Sequence, residues 1–273
     1  MFQIIIWLKS REMTSRWMEL LTWACQLTTD SLYSIGQSTG MVLGQPGTGE
    51  LGRGRYSTIY SASKTYFPQI FASDQEGWSS KSCALKVVSK DQFLYRVKRH
   101  RERPDTLLRE VAIQSLLSRY ISSTYSNPKE VPILQIANVF ETRTHLVLDI
   151  ELMSGEDLFT YISNSSKRRL HGGLPEEEAR LIIINILQAL TLLQKLGIAH
   201  RDVKPANIFM CDHKQNIRAK LADYGMATFI GTDGLVRGRC GTPGYVAPEI
   251  LLSNTDEGYK NKVCKLKHYF YEA

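Results

Sequence analysis

The segment His200-Arg201-Asp202-Val203-Lys204-Pro205-Ala206-Asn207 constrains this chain more than any other stretch. It places an acid, a cation two residues on and a carboxamide five residues on, directly after a long apolar-periodic run. An Asp in such a group can orient or accept the proton of an attacking hydroxyl. The Lys can offset phosphate charge, and the Asn can ligate a metal. Asp223-Tyr224-Gly225 follows with a second carboxylate for a metal, and Ala247-Pro248-Glu249 comes after it. Any one of these taken alone reads as a surface turn. The ordered set points to phosphoryl transfer.

The flanking sequence reads as two lobes of an α+β fold. Strand-like runs come first, at Tyr56–Ala62, Cys83–Val88, Ile133–Phe140 and His145–Leu152. They are interrupted by one helix near Asp105–Arg119, with Leu108, Ala112 and Leu116 four apart. A longer helix is predicted over Glu176–Leu196. Pro175 stands at or just before its first turn, Glu176, Glu177 and Glu178 complement the macrodipole, and Gly197 stops it. Its apolar stripe is read as Ala179, Ile183, Ile186, Leu190 and Leu193. Ser63–Ser82 exceeds an ordinary hairpin connection and reads as an inserted surface loop. Residues 28–49, rich in Ser, Thr, Gly and Gln, read as a linker. Before them, Phe2–Leu8 reads as a strand, and Trp17, Leu20, Leu21 and Ala24 recur at helical spacing.

Composition removes several classes. With 43% hydrophobic and 22% charged residues the 273-residue chain is a globular protein, not disordered throughout, collagenous or coiled-coil. No apolar run approaches the roughly 20 residues of a membrane helix, and Met1–Arg11 lacks the features of a signal peptide. Five Cys without paired spacing predict reduced thiols in an intracellular, cytoplasmic setting. A formal charge of +7 gives no ground for a nucleic-acid partner.

From about residue 50 to 263 the chain resembles a eukaryotic protein kinase domain of the serine/threonine type, in fine grain the calcium/calmodulin-dependent group. The resemblance implies a two-lobed fold with a β-rich N-lobe and a helical C-lobe, ATP and Mg²⁺ as cofactors, and a protein Ser or Thr as acceptor. It implies Asp202 as catalytic base, Asn207 as second metal ligand, and Asp223 as main Mg²⁺ ligand with Tyr224 in place of the usual Phe. Lys204 and Gly241-Thr242-Pro243-Gly244-Tyr245 resemble the serine/threonine branch, with Thr242 hydrogen-bonding Asp202 and Lys204. Cys83-Ala84-Leu85-Lys86 resembles the strand whose Lys holds the α/β-phosphates, and Glu110 is the natural partner for Lys86.

Two overlapping glycine frames are present. Gly47-Thr48-Gly49-Glu50-Leu51-Gly52 matches by letters, but no strand follows in that frame. Gly52-Arg53-Gly54-Arg55-Tyr56-Ser57-Thr58-Ile59 carries Ser57 for the third Gly and leads into a strand, so it is preferred. Glycines matter there because backbone N–H groups must approach phosphates without a Cβ in the way. Leu51, Ile59, Ala84 and Phe209 are candidate adenine contacts. Glu151 and Met153 would supply hinge backbone groups behind Ile150, and Asp157 sits where related kinases read the ribose or an upstream substrate Arg.

Four departures stand out. Gly238 occupies a position that often carries a phosphorylatable residue, so Arg201 lacks that phosphate partner and activity is expected without the switch; Thr232 is the nearest upstream hydroxyl. Gln114 stands where an apolar residue is usual. Cys264 replaces an anchoring Asp and 265–273 does not continue the match, so a C-lobe lacking its last helices is expected. This motivates an alternative, a non-catalytic nucleotide- or partner-binding kinase fragment. Finally, residues 1–27 resemble the last strand and closing helix of a pleckstrin homology domain, without its lipid-reading loops, so no membrane lipid binding is expected. The basic run Arg96–Arg103 reads as a solvated face, or as a docking or nuclear-import patch.

Overall fold

The computed structural model describes residues 41–43, 49–64, 82–141, 145–168, 173–211, 217–238, 240–252 and 258–260. The readings for residues 1–27, for most of the 63–82 insert and for the residues beyond 260 lie outside the described residues. The described residues fall into two compact units, those within Met1–Ser118 and Gln135–Leu152, and those within Arg119–Leu134 and Met153–Ala273.

The first unit is an antiparallel sheet with helices. Strands β1 (Met41–Leu43), β2 (Glu50–Arg53), β3 (Ser57–Lys64), β4 (Ser82–Ser89), β5 (Ile136–Glu141) and β6 (His145–Ile150) run in the order β1-β3-β4-β6-β5, with β2 also on β3. A strand thus lies inside the stretch read as linker. The run read as Ile133–Phe140 begins its strand only at Ile136; Ile133 belongs to the second unit and forms an isolated bridge there with Leu221. Alternation decides which face each side chain takes. Ala62, Cys83, Leu85 and Val147 pack together on one face, with Val87 against them.

Helix α1 (Lys90–Lys98) was not foreseen: the basic run forms its last turn and cap. Ser89 Oγ accepts from Gln92 N at 3.3 Å at its start. At its end His100 takes φ 52, and the N–H of Arg101 donates to the Arg96 carbonyl at 2.9 Å. That is the αL helix stop, with Arg96 and Lys98 complementing the dipole. Phe93, 1% exposed, is the helix's one buried anchor and meets Tyr56 edge-on. With a single buried side chain the helix shows little apolar period, and a charge run is all the sequence displays.

Helix α2 (Thr106–Thr124) extends past the expected end and buries Leu107, Leu108, Val111, Ala112, Ile113, Leu117 and Ile121. Gln114 is buried among them, and its Oε1 has no hydrogen-bond partner among the described residues. A buried acceptor left unpaired costs about 1–3 kcal/mol. Gln114→Met keeps the volume and removes the dipole, so it raises unfolding free energy by about 1–2 kcal/mol, measurable as a higher urea midpoint at unchanged slope. A lower midpoint would show that the carboxamide is satisfied.

The second unit holds helices α3 (Leu158–Arg168), α4 (Glu176–Lys195) and α5 (Pro248–Leu252). It also holds the strand pairs β8 (Ile208–Cys211) with β9 (Arg218–Leu221), β7 (Ile198–Ala199) with β10 (Thr228–Phe229), and β11 (Leu235–Val236) with β12 (Tyr259–Lys260). Helix α4 starts after Pro175 and stops at Gly197, which takes φ 68, as the sequence predicts. Its buried stripe differs from the expected one. Ile182, Ile186, Ala189, Leu192 and Leu193 are inside, while Ile183 is 39% exposed. The helix is apolar on most sides, so periodicity alone cannot choose the face. The choice falls to the packing of α4 on β9, where Asn185 Oδ1 accepts from Ala219 N at 2.8 Å.

Candidate active site

In the first unit, cross-strand register gathers the expected nucleotide residues. Ile59 stands opposite Lys86, and Lys86 opposite Leu148; two residues along, Ser61, Ala84 and Ile150 form the next row. Directly opposed residues share a face, and so do residues two apart. Ile59, Ala84 and Lys86 therefore lie on one face of the sheet. From that face the Lys86 ammonium pairs with the Glu110 carboxylate on α2. Glu110 is only 2% exposed at its side chain, so a cation beside it is obligatory: an unpaired buried carboxylate would be costly.

The β2–β3 turn follows the preferred glycine frame. Gly52 pairs with Ile59 and Arg53 with Thr58, and the N–H of Gly54 donates to the Ser57 carbonyl at 2.7 Å. A Cβ at residue 54 would fall 2.9 Å from Ser57 Oγ, so a side chain there would make the Ser57 hydroxyl turn aside. Leu51 lies at the register shift of β2 and is 55% exposed. Glu151 donates its N–H to the Gln135 carbonyl at 3.0 Å.

In the second unit, the octet closes on Asp202. Its Oδ1 accepts from Thr242 Oγ1 at 2.6 Å and from Thr242 N at 3.1 Å. Its Oδ2 accepts from Lys204 Nζ at 2.8 Å and from Asn207 Nδ2 at 2.9 Å. Lys204 also donates to Thr242 Oγ1 at 2.7 Å, so the threonine hydroxyl accepts from the lysine and donates to the aspartate. Burial by itself would raise the Asp202 carboxyl. The hydrogen bonds from Lys204, Thr242 and Asn207, with the lysine's charge, together outweigh it and hold the carboxyl below its ordinary range.

His200 supports this loop from beneath. It is buried, its Nε2 lies 2.9 Å from the Ala222 carbonyl, and its Nδ1 accepts from Asp202 N at 3.3 Å. Only the tautomer protonated at Nε2 satisfies both bonds. Burial lowers its pKa, against the raising effect of the Ala222 carbonyl, which keeps the ring neutral. Tyr224, fully buried, packs edge-on to His200 with ring centroids 5.1 Å apart, and its hydroxyl donates to the Leu221 carbonyl at 3.2 Å. Burial pushes that phenol far up. The hydroxyl absent from the usual Phe is thereby accommodated.

Asp223 takes the left-handed conformation (φ 58), is exposed, and its Oδ1 accepts from Gly225 N at 3.3 Å. The N–H of its neighbour Ala222 donates to the Asn207 carbonyl at 2.9 Å, which ties the two candidate metal residues together through the main chain. Asn207 directs its NH₂ to Asp202, so its acceptor oxygen faces elsewhere. Among the described residues no three His, Cys, Asp or Glu gather. One carboxylate and one carboxamide oxygen are the sparse, hard donor set that suits Mg²⁺, which keeps waters and phosphates as its other ligands.

Asp157 forms an isolated bridge with Phe209, so these two expected nucleotide residues are neighbours. The close approach beside them needs Gly155, where a Cβ would meet the Met210 carbonyl oxygen at 2.5 Å. Met153 is half-buried at the start of this stretch. The Asp157 carboxylate caps α3, accepting from Thr160 N at 3.0 Å and from Thr160 Oγ1 at 2.8 Å. An Asp three residues before a Thr at a helix start is the sequence signal for this cap. Arg201, expected only to lack a phosphate partner, donates to the Met226 carbonyl at 2.7 Å and to the Arg237 carbonyl at 3.1 Å.

The protein kinase domain model matches residues 47–264. A probable myosin light chain kinase of Dictyostelium discoideum is 31% identical over 78% of this chain and 50% of its own length. The CBL-interacting protein kinase 4 of Oryza sativa subsp. japonica is 30% identical over 77% of this chain and 39% of its own. The serine/threonine-protein kinase DCLK2 of Mus musculus is 38% identical over 50% of this chain and 16% of its own. The chain thus spans half or less of the length of these relatives.

Proposed function

This chain belongs to the protein kinase family, and from that premise we propose that it transfers the γ-phosphoryl group of ATP to a serine or threonine hydroxyl of a protein, with Mg²⁺ required. The observation that carries the reading is the Asp202 carboxylate, ionised and fixed by four donors from Lys204, Asn207 and Thr242. In the reaction the acceptor hydroxyl oxygen forms a bond to the γ-phosphorus, the bond from that phosphorus to the β,γ-bridging oxygen breaks, and ADP leaves. Asp202 orients the hydroxyl and takes its proton. Lys204 offsets charge on the transferring group, while Thr242 holds Asp202 and Lys204 in register. Lys86, oriented by Glu110, serves the α/β-phosphates. Gly52, Gly54 and Ser57 carry the turn that approaches them, and Ile59 and Ala84 offer apolar surface to the base. Asn207 and Asp223 would hold Mg²⁺, which when bound neutralises phosphate charge.

The relatives whose names state serine/threonine specificity support the choice of acceptor, as does Lys204 bonded to Thr242. The test is transfer of label from γ-labelled ATP to dephosphorylated casein by the purified chain. We expect phosphoserine and phosphothreonine without phosphotyrosine after acid hydrolysis, and loss of label when EDTA removes magnesium. Mg-ATP binding without any transfer would overturn the enzymatic reading in favour of a nucleotide-binding module.

A further inference from the structure

Helix α1 stands in sequence between the strand that carries Lys86 and the helix that carries Glu110. It is also tied to the glycine turn at two points. The N–H of Ser89 donates to the Tyr56 carbonyl at 2.9 Å, and Ser89 is the residue whose Oγ caps α1. Beside that bond the Tyr56 ring meets the Phe93 ring edge-on, with centroids 5.3 Å apart and planes at 73°. Phe93 is buried and Tyr56 half-buried, so Tyr56 is the outer member of the pair.

The turn closes through the bond from Gly54 N to the Ser57 carbonyl and the pairing of Arg53 with Thr58, which leaves Arg55 and Tyr56 at its centre. One flank of it borders open space. Cross-strand register sets Thr58, Tyr60 and Val87 on the face opposite Lys86. There a cavity of about 250 Å³ lies against these three and against Gly54, Tyr56 and Ser57. A turn that fronts a cavity is not held by close packing on that flank. The Phe93 ring is placed to supply the missing restraint. Helix α2, by contrast, is anchored by its own apolar side chains from Leu107 to Ile121, so the Lys86–Glu110 pair does not depend on Phe93.

We propose that Phe93 is a positioning residue for the nucleotide: through the Tyr56 ring it holds the glycine turn where Gly52, Gly54 and Ser57 meet the phosphates. The proposal rests on the reading of that turn given above and names a residue outside the site that sets its place. Main-chain N–H groups bind phosphate only at close range, so a small shift of the turn loses the bonds. A turn already ordered before binding also gives up less freedom when phosphate arrives. An edge-to-face ring pair fixes a geometry that an aliphatic side chain of similar bulk does not. Ile59 and Ala84, which offer apolar surface to the base, stand in the regular ladder of β3 and β4. Phe93 therefore acts on the phosphates and not on the base.

The test titrates the whole purified chain calorimetrically with Mg-ATP, Mg-ADP and adenosine. We expect Phe93→Leu, which keeps the position apolar and filled, to weaken Mg-ATP and Mg-ADP by roughly fivefold or more, the order of one ring pair with its ordering of the turn. Adenosine, which has no phosphate, should bind within about twofold of the unmodified chain, a split that general loosening of the fold would not give. Tyr56→Leu should act alike, and the double variant should be weaker than either single one by no more than about twofold, since both remove one contact. Tyr56→Phe keeps the ring and should recover most of the affinity. Saturated with Mg-ATP, Phe93→Leu should label casein with kcat within about threefold of the unmodified chain. If Phe93→Leu does not fold, Tyr56→Leu beside Tyr56→Phe still decides. Equal weakening of adenosine and Mg-ATP, additive losses in the double variant, or undiminished Mg-ATP affinity in the single variants would each overturn the proposal and leave the phosphoryl-transfer reading standing. An unmodified chain that binds no Mg-ATP would overturn both.

Discussion

Replacing Asp202 with Asn lowers the rate of phosphoryl transfer by about 10²–10⁴-fold, the usual worth of a positioned acid–base group, with Mg-ATP affinity held within a few-fold. Two effects act together. The carboxamide cannot take the acceptor proton. It also cannot replace the carboxylate in the network, because Oδ1 faces two donors of Thr242 and Oδ2 faces Lys204 and Asn207. Whichever way the amide turns, its NH₂ meets donors. Comparing single-turnover rates with nucleotide binding checks this, and an unchanged rate would remove Asp202 from the chemistry. The pH dependence gives a second reading of the same residue. Its folded carboxyl lies below the ordinary value, so its ionised form, and the stability that goes with it, is lost only as pH falls through that lowered value. The acid limb of kcat/KM assigned to Asp202 therefore lies below the ordinary carboxylate range. Lys204→Ala removes the largest of the opposing hydrogen bonds and moves that limb upward.

Lys86→Met is the second large effect, and it needs a control. We expect transfer to fall by about 10²-fold or more, equivalent to about 2.7 kcal/mol or more of lost transition-state stabilisation. The same change leaves Glu110, 2% exposed, without its ammonium. Breaking a buried pair from one side costs about 3–5 kcal/mol, so part of any lost activity could come from lost fold. The double variant Lys86→Met/Glu110→Gln separates the two. Neutralising the carboxylate restores most of the unfolding free energy, measured by urea titration, while transfer stays as low as in the single variant. Recovery of activity with stability would mean that the pair holds the fold and does no chemistry.

The family could be read from the chain, and the candidate site groups could be named, because they rest on short spacings. Lys86 with Ala84 and Asp202 with Lys204 are two residues apart, on a strand and a turn, and local geometry alone sets them side by side. Gly197 and Pro175 bounded α4 for equally local reasons. The buried face of that helix could not be read, since Ile182 and Ile183 are chemically identical and differ only in what lies opposite. Helix α1 escaped because one Phe anchors it. Asp157, expected at the nucleotide, has in addition a capping role on α3 through Thr160.

What the amino-acid order determined alone is therefore the set of candidate groups: a Lys on a strand, a Glu on a helix, and an Asp, Lys and Asn on one turn. Only the tertiary structure decided how those groups are held. Thr242 reaches Asp202 across a sequence separation of 40 residues, and Arg201 reaches carbonyls that have no side-chain signature at all. Backbone acceptors are identical at every residue, so no residue pattern could mark which of them the guanidinium would find; the path of the folded chain selects them.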